Sequence, residues 1–242
     1  MIASLGMYPF AHLRDSYDRL WEAVSARLDG APALLSHELD LQSAWHLPEL
    51  LLGQTCGWPL VTELPDVVVI GAFDLNAPFA VGGRYRSVIV SNKPVSANRS
   101  QLAAVNGLDS LSGWVSLCSV LGGAPDALLE TGAHAESVRA VAEGRAEIAS
   151  IDAMSFEFLA ESQPALVGRL HIEGHGPSVP SLPLVMAPAL ADRLPEVRAA
   201  FAAAVADPTL ADVCARLRIR GFVPFDRSDY LPLLELAPPP RH

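Results

Sequence analysis

Apolar residues recur along this chain in two patterns, one typical of helices and one typical of buried strands. Between Leu13 and Leu28 they return at steps of three and four residues, and Gly30 ends the pattern, which predicts an amphipathic helix. Asp66–Ala72 is instead continuously apolar after its first residue, as strands buried on both faces are. Tyr85–Ser91 reads as a further strand. The N-terminal third therefore combines helices and strands.

The section between residues 102 and 159 alternates short apolar runs with helical patterns. Its predicted strands are Leu102–Val105, Ala127–Thr131 and Ala146–Ile151. Its predicted helices are Leu111–Leu121, Ala135–Glu143 and a segment through Phe158 and Leu159. Strands that alternate with helices form βαβ units, so we expect a mostly parallel sheet.

The remaining elements are shorter or less regular. They are strands at Ile2–Leu5 and Ala33–Glu38, a helix or helix-to-strand passage at Ala44–Leu52, and helices at Leu194–Val205, Leu210–Leu217 and Tyr230–Leu236. Two extended, proline-containing stretches, Asn92–Ser100 and Leu170–Ala187, separate the central α/β section from the rest. The predicted organisation is a first, discontinuous lobe of 1–91 plus 188–242, a second lobe of 92–187, and hinge crossings near 88–98 and 172–187. Two α/β lobes joined by two crossings predict a hinge and a ligand cleft.

Composition and charge exclude several classes of protein. Half of the 242 residues are hydrophobic, which is enough for a large core and excludes a disordered chain. Acidic residues outnumber basic ones by 27 to 17, and no basic stripe is present, which argues against binding to nucleic acid. The three cysteines are widely spaced, which predicts reduced thiols and no disulfide framework.

The N-terminal residues and the hydropathy of the chain indicate where in the cell the protein is expected. Met1–Pro9 has no basic segment before its apolar run, so no signal peptide is predicted. No uncharged stretch reaches the roughly 18 apolar residues that a transmembrane helix needs. The expectation is a cytoplasmic chain as written, or a periplasmic one if the true start lies upstream.

Polar side chains follow the strands of the central section, where parallel sheets bind their ligands. After the first strand, Asp109 or Ser110 is placed to cap the next helix, and Ser112 adds a second hydroxyl. Free N–H groups in a first helical turn attract anions, and Gly113 leaves room for close approach. Such caps also begin many helices that bind nothing, so both interpretations stay open for this turn.

The next two strands and the first lobe add further candidates. His134 is placed to donate to an anion or to act as a cap. Asp152 is placed to hold a ligand group, to orient His134 or to cap a helix. Tyr8 and Gln54 follow strands of the first lobe, although a tyrosine beside a proline is more often packed within its loop. The convergence of these groups favours a binding site.

Two other constellations are rejected. Ser110 or Ser112 with His134 and Asp152 resembles a hydrolytic triad, but no G-x-S-x-G elbow is present and the order along the chain is not that of α/β-hydrolases. His171 and His175 have metal-site spacing, but the glycines and proline around them argue against the helix that this spacing needs. No metal and no cofactor is predicted.

An ordered series of motifs runs through nearly the whole chain. The motifs are Ser4–Tyr8, Gln54–Leu60, Gly82–Val90, Asn106–Gly113, Thr131–His134, Val141–Asp152 and Arg220–Pro224. In this order they resemble the phosphate, phosphite and phosphonate substrate-binding proteins of ABC transporters, which have the type II periplasmic-binding-protein fold. The resemblance implies an α/β fold of two lobes, with mixed sheets flanked by helices, that closes on a small oxyanion. It also implies a transporter permease as partner.

The resemblance carries over to individual residues. Ser110, Ser112 and Gly113 correspond to the turn that holds the phosphonyl oxygens, and His134, Asp152 and Tyr8 to further ligand contacts. The predicted ligand-binding set is completed by Gln54 and Asp109. The chain departs from the family's common Ser-Thr-Ser-Gly turn at Leu111, which removes a donor and leaves a carboxylate as an alternative ligand.

Two functions follow from these observations. The preferred one is binding of a small oxyanion without chemistry, for transport or for sensing. The alternative is a cytoplasmic enzyme on the same fold that acts on a small carboxylate, as chorismate dehydratases do, with Asp152 or His134 as acid or base.

Overall fold

The computed structural model describes residues 1–94 and 102–238. The strands within them are β1 (Ile2–Ala3), β2 (Leu50–Gln54), β3 (Val68–Leu75), β4 (Arg84–Tyr85), β5 (Val88–Ser91), β6 (Leu102–Val105), β7 (Ala127–Glu130), β8 (Ile148–Ile151), β9 (His171–His175), β10 (Val179–Pro180), β11 (Pro183–Met186) and β12 (Ile219–Val223). The α-helices are α1 (Arg14–Ser25), α2 (Leu41–Ala44), α3 (Gly57–Thr62), α4 (Ser116–Leu121), α5 (His134–Ala142), α6 (Ala153–Ser162), α7 (Pro164–Val167), α8 (Leu194–Val205), α9 (Ala211–Arg216) and α10 (Arg227–Tyr230). A π-helical segment spans Leu111–Val115, and short 3₁₀ segments include the C-terminal Leu231–Leu236.

The chain divides into two compact units. The first unit contains residues 1–76, 80–84 and 180–232, and the second contains 77–79, 85–179 and the residues from 233 onward. The chain passes between the two units at 84/85 and at 179/180, whereas the predicted boundaries between the lobes lie at 91/92 and 187/188. The reason is strand pairing, because β5 pairs with β8 and β9, whereas β11 pairs with β2 and β3. Residues 95–98 of the predicted crossing lie outside the described residues.

The first unit is built on a five-stranded sheet of order β1-β2-β11-β3-β12. β1 and β2 are parallel, and β11 runs antiparallel between β2 and β3. All five residues of β2 are buried, and α8 packs against β3, β12 and α1. The predicted strand at Ala33–Glu38 is wrong: the segment forms bends and no strand, and Leu34 is 78% exposed. Since an exposed apolar side chain gains nothing from burial, the apolar run at this place does not make a strand.

The second unit is built on a sheet of order β7-β6-β8-β5-β9. β6 is parallel to both β7 and β8, while β5 runs antiparallel to β8 and β9. The predicted strand–helix alternation is therefore present in β6 to β8, and β5 and β9 make the sheet mixed rather than mostly parallel. Helix α5 packs against β6 and β8. Among the described residues, no helix is long and apolar enough to cross a membrane.

The pairing of β3 with β12 requires a glycine at position 71. A Cβ atom on Gly71 would lie 2.5 Å from the carbonyl oxygen of Val223 and 2.6 Å from the ring of Phe222. We expect Gly71→Ala to lower the free energy of unfolding by about 1–3 kcal/mol or more, because backbone cannot move aside cheaply. Gly221→Ala in β12 is the matched control, since its nearest contact would be an ordinary 3.6 Å. Equal losses in the two variants, measured by urea denaturation, would contradict this account.

Candidate functional site

Three parallel strands deliver polar side chains to one edge of the second unit. Because β7, β6 and β8 run in the same direction, their carboxyl ends meet at this edge. Asn106 follows β6, Asp152 follows β8, and His134 comes four residues after β7. We call this edge, together with the segment Ser110–Gly113, the polar edge.

The segment Ser110–Gly113, which we call the serine turn, begins a helix. Ser110 is its N-cap: its backbone is extended, and its Oγ accepts a 3.0 Å hydrogen bond from the Gly113 amide. The amides of Trp114 and Val115 both donate to the Ser110 carbonyl, which gives the first turn its wider, π-helical form. Asp109 is exposed, and Ser110 takes the capping position that the sequence left open between them. The amides at the very start of such a helix have no acceptor within it and face its N-terminal end.

Ser112 and His134 form a direct contact across the polar edge. Ser112 is 4% exposed, and its Oγ lies 2.9 Å from His134 Nε2. Ser150 in β8 donates its hydroxyl to the Ser112 carbonyl, which holds the turn against the sheet. His134 is the first residue of α5, whose N-cap is Ala133, so the imidazole is not a cap. The structure thus joins two of the predicted residues.

His134 is held in its neutral form. Burial lowers its pKa below the ordinary value, and the negative charge of Asp152 opposes part of this shift. Its Nδ1 is shielded from solvent and has no hydrogen-bond partner. A neutral imidazole offers one donor and one acceptor, so His134 can exchange a hydrogen bond with Ser112 in either tautomer.

Asp152 has the capping role that was one of its predicted interpretations. It is 3% exposed, and its Oδ1 accepts a 2.9 Å hydrogen bond from the amide of Ser155 at the start of α6. A hydrolytic triad would need this carboxylate on His134 Nδ1, which has no partner. The Ser112–His134 pair therefore lacks the third group that would orient the imidazole for catalysis.

Asn106 is a residue of this edge that the predicted ligand-binding set omits. Its Oδ1 is buried without a hydrogen-bond partner. A Cβ atom on Gly113 would lie 1.9 Å from this oxygen and 3.1 Å from Ser110 Oγ, so only glycine allows the present packing. The feature of the sequence that could have identified Asn106 as a site residue is its position directly after a strand of the predicted parallel sheet.

The two predicted residues of the first unit follow neighbouring strands. Gln54 ends β2 and is 3% exposed; its carbonyl accepts from Trp45 Nε1, while its Oε1 is buried without a partner. Tyr8 is 7% exposed and follows β1, the parallel neighbour of β2. Their contact with a ligand stays a prediction, as it does for the residues of the polar edge.

Comparison with protein families supports the motif series. Residues 119–230 match the model of a family described as ABC transporter, phosphonate, periplasmic substrate-binding protein. The matched part includes His134 and Asp152 and begins shortly after the serine turn. Among curated proteins no match was found.

Solved structures with similar folds include proteins from three bacteria. A binding-protein component of an ABC phosphonate transporter from Pseudomonas aeruginosa is 18% identical, with a TM-score of 0.72 over 93% of this chain and 80% of that one. PhnD1 from Prochlorococcus marinus, in complex with methylphosphonate, is 15% identical, with a TM-score of 0.68 over 92% of each chain. A Xanthomonas citri protein bound to chloride is 15% identical, with a TM-score of 0.68 over 97% of this chain and 94% of that one. The resemblance and the predicted fold class, mixed sheets flanked by helices in a type II periplasmic-binding-protein fold, are confirmed.

The contact between Asn106 and Gly113 is tested by a double-mutant cycle. We expect Gly113→Ala to lower the free energy of unfolding by about 1–3 kcal/mol, because the new methyl displaces the Asn106 side chain. In an Asn106→Ala background the same change costs less, since the clashing atom is gone. Gly123→Ala, where a Cβ would meet nothing within 4 Å, is the control. Additive losses in urea denaturation would exclude a direct contact.

The neutral state of His134 predicts a pH dependence of stability. As the pH falls below about 6.5, the unfolded chain takes up the imidazole proton before the folded protein does, so the folded state loses stability. His134→Gln removes this term, and the fall in unfolding free energy between about pH 6.5 and 5 should become shallower, by at most about 1.4 kcal/mol per unit. Asn76→Gln, at an exposed position, removes no titratable group and should leave the slope unchanged. Parallel slopes for His134→Gln and the original protein would contradict the assignment.

Proposed function

We propose that this chain, which shares its fold and a family-model match with the phosphonate-binding proteins of ABC transporters, binds a small oxyanion at the polar edge and supplies it to a transporter permease. The observation that carries the proposal is the contact of Ser112 with a neutral, half-buried His134 beside the first turn of a helix. Hydroxyl, imidazole and first-turn amides are donors suited to oxyanion oxygens.

Helix orientation supports an anion as the ligand. The serine turn, the start of α5 at His134 and the start of α6 after Asp152 all lie at the polar edge. Each helix N-terminus carries a partial positive charge that falls off within its first turn. The formal net charge of the chain is −10, which repels anions at long range. Recognition therefore depends on these short-range dipoles and donors.

The neighbours support an anionic ligand and a transport role. The Prochlorococcus protein is in complex with methylphosphonate and the Xanthomonas protein with chloride, both anions. The family model describes transporter components, which supports a permease as the partner of this chain. Leu111, at the place of the family's usual middle hydroxyl, is 1% exposed and contributes to the core instead. Ser110 and Ser112 then remain as the two hydroxyls of the turn.

Ligand-induced thermal stabilisation tests the proposal. We expect the original protein to gain thermal stability with methylphosphonate or phosphate. Ser112→Ala and His134→Ala should each weaken affinity by about 10- to 100-fold, because a hydrogen bond to a charged group contributes about 1.5–3 kcal/mol. Ser119→Ala and His171→Ala, at exposed positions of the same unit, are the matched controls and should respond as the original protein does.

The proposal fails in either of two cases. One is that none of phosphate, methylphosphonate, sulfate and small carboxylates raises the melting temperature of the original protein. The other is that Ser112→Ala and His134→Ala retain the full ligand-induced shift, since the anion would then bind elsewhere.

A further inference from the structure

The first unit contains a cavity of about 410 Å³ that plays no part in the proposed function. Small-molecule sites in proteins typically have volumes of about 300–1,000 Å³. Three segments of the chain line the cavity: 45–48 before β2, 63–67 before β3, and Pro188 with Ala189 after β11. We call it the first-unit cavity.

The strand directions place the first-unit cavity at the edge of the sheet where β2 and β3 begin. β11 runs antiparallel to both strands, so it ends at this same edge. The predicted ligand residues of this unit lie at the other end, because Gln54 ends β2 and Tyr8 follows β1, the parallel neighbour of β2. The five residues of β2 span roughly 13 Å. A molecule in the cavity is therefore not the ligand that Gln54 and Tyr8 are predicted to contact.

The lining of the first-unit cavity combines buried apolar residues with exposed carboxylates. Trp45, Leu64 and Val67 are buried, whereas Glu63 and Asp66 are exposed. Within residues 1–94 and 102–238, neither carboxylate forms an ion pair. Apolar surface beside carboxylates without an ion-pair partner is complementary to a molecule with an apolar body and a cationic head.

The other titratable groups at this place do not reverse the sign of the charge. Burial lowers the pKa of Arg227, and the negative charge of Asp66 opposes part of this shift. The guanidinium of Arg227 donates to three backbone carbonyls of the segment 60–67 and does not line the cavity. His46 lines the cavity, and a neutral imidazole adds one donor and one acceptor without charge. The two carboxylates therefore determine which sign of charge the cavity favours.

The walls of the first-unit cavity are held in place without a ligand. Three proline rings restrict the backbone of the lining, at Pro48, Pro65 and Pro188. The hydrogen bonds of Arg227 fix the segment before β3, and Trp45 Nε1 donates a 3.0 Å hydrogen bond to the Gln54 carbonyl. Because these walls are already ordered, binding costs little of their conformational entropy.

We propose that the first-unit cavity binds a small organic cation, with its ammonium or guanidinium group at Glu63 and Asp66 and its apolar body against Trp45, Leu64 and Val67. A small molecule is favoured over a protein segment because the cavity has the volume of a small-molecule site and walls that are fixed in advance. The inference goes beyond the proposed function and does not depend on oxyanion binding at the polar edge.

Phenethylammonium and phenethyl alcohol are the matched probes, because they share an apolar body and differ in the charge of the head. Their dissociation constants are measured by ligand-observed NMR at pH 8, where histidine side chains are ordinarily uncharged. We expect the original protein to bind the ammonium about fivefold more tightly than the alcohol, since each exposed charge pair contributes only modestly. This preference should shrink at high salt, which screens exposed charges.

Charge-removing variants test the role of the two carboxylates. The double variant Glu63→Gln, Asp66→Asn should bind the two probes with nearly equal affinity, because it keeps the shape of the lining and loses both charges. The double variant Glu38→Gln, Asp29→Asn is the matched control, since it removes the same charge from exposed positions of the first unit outside the lining. It should keep the full preference for the ammonium.

A second pair of variants tests the location of the site without changing any charge. Ala189 lines the cavity and is exposed, so Ala189→Phe occupies part of the space without entering the core. We expect it to weaken the binding of both probes by about tenfold or more, because the new ring clashes with their apolar body. Ala191→Phe, exposed in the same 3₁₀ segment but outside the lining, is the control and should bind as the original protein does.

Several results would overturn the inference. One is equal binding of the two probes by the original protein, and another is a preference that survives the loss of both Glu63 and Asp66. A ratio of dissociation constants does not depend on the folded fraction of a variant, so a merely destabilised variant would keep the preference. Full binding by Ala189→Phe would place the site elsewhere. If neither probe binds, and sedimentation shows a dimer that Ala189→Phe dissociates, the occupant is a second copy of this chain and the inference is wrong.

Discussion

The parallel pairing of β6 with both β7 and β8 is the constraint on which the polar edge depends. Each of these strands ends at the same side of the sheet, so three separate stretches of sequence place one polar residue each within a short distance. No long-range ion pair is needed to gather them. The hydrogen bond from Ser150 in β8 to the Ser112 carbonyl then ties the serine turn to the same sheet.

A capping role does not exclude a role in ligand binding at this edge. Ser110 and Asp152 both accept the amide that a cap accepts, yet the same geometry places them at helix N-termini where an anion is favoured. Caps fix these side chains before any ligand arrives, and a side chain that is already fixed loses little entropy on binding. The contact of Ser112 with His134 fixes these two side chains in the same way.

Much of the second unit could be predicted because each of its strands and helices follows from the pattern of residues adjacent in the sequence. Leu102–Val105 is a strand with the predicted bounds, and His134 and Asp152 stand at helix starts as expected. The unit boundaries differed from prediction, because the partners of β5 and β11 are set by long-range pairing. The false strand at Ala33–Glu38 arose because apolar composition does not reveal exposure.

The unpaired atoms mark the limit of what a sequence can show about this site. A motif identifies Ser110, Ser112 and His134 by residue type, but whether an atom has a partner depends on distances of a few ångströms. Asn106 illustrates this point, since its oxygen has no partner and lies where any residue other than glycine at position 113 would place a side chain. The glycine that the sequence explains by close approach of a ligand is thus already explained by close approach of Asn106.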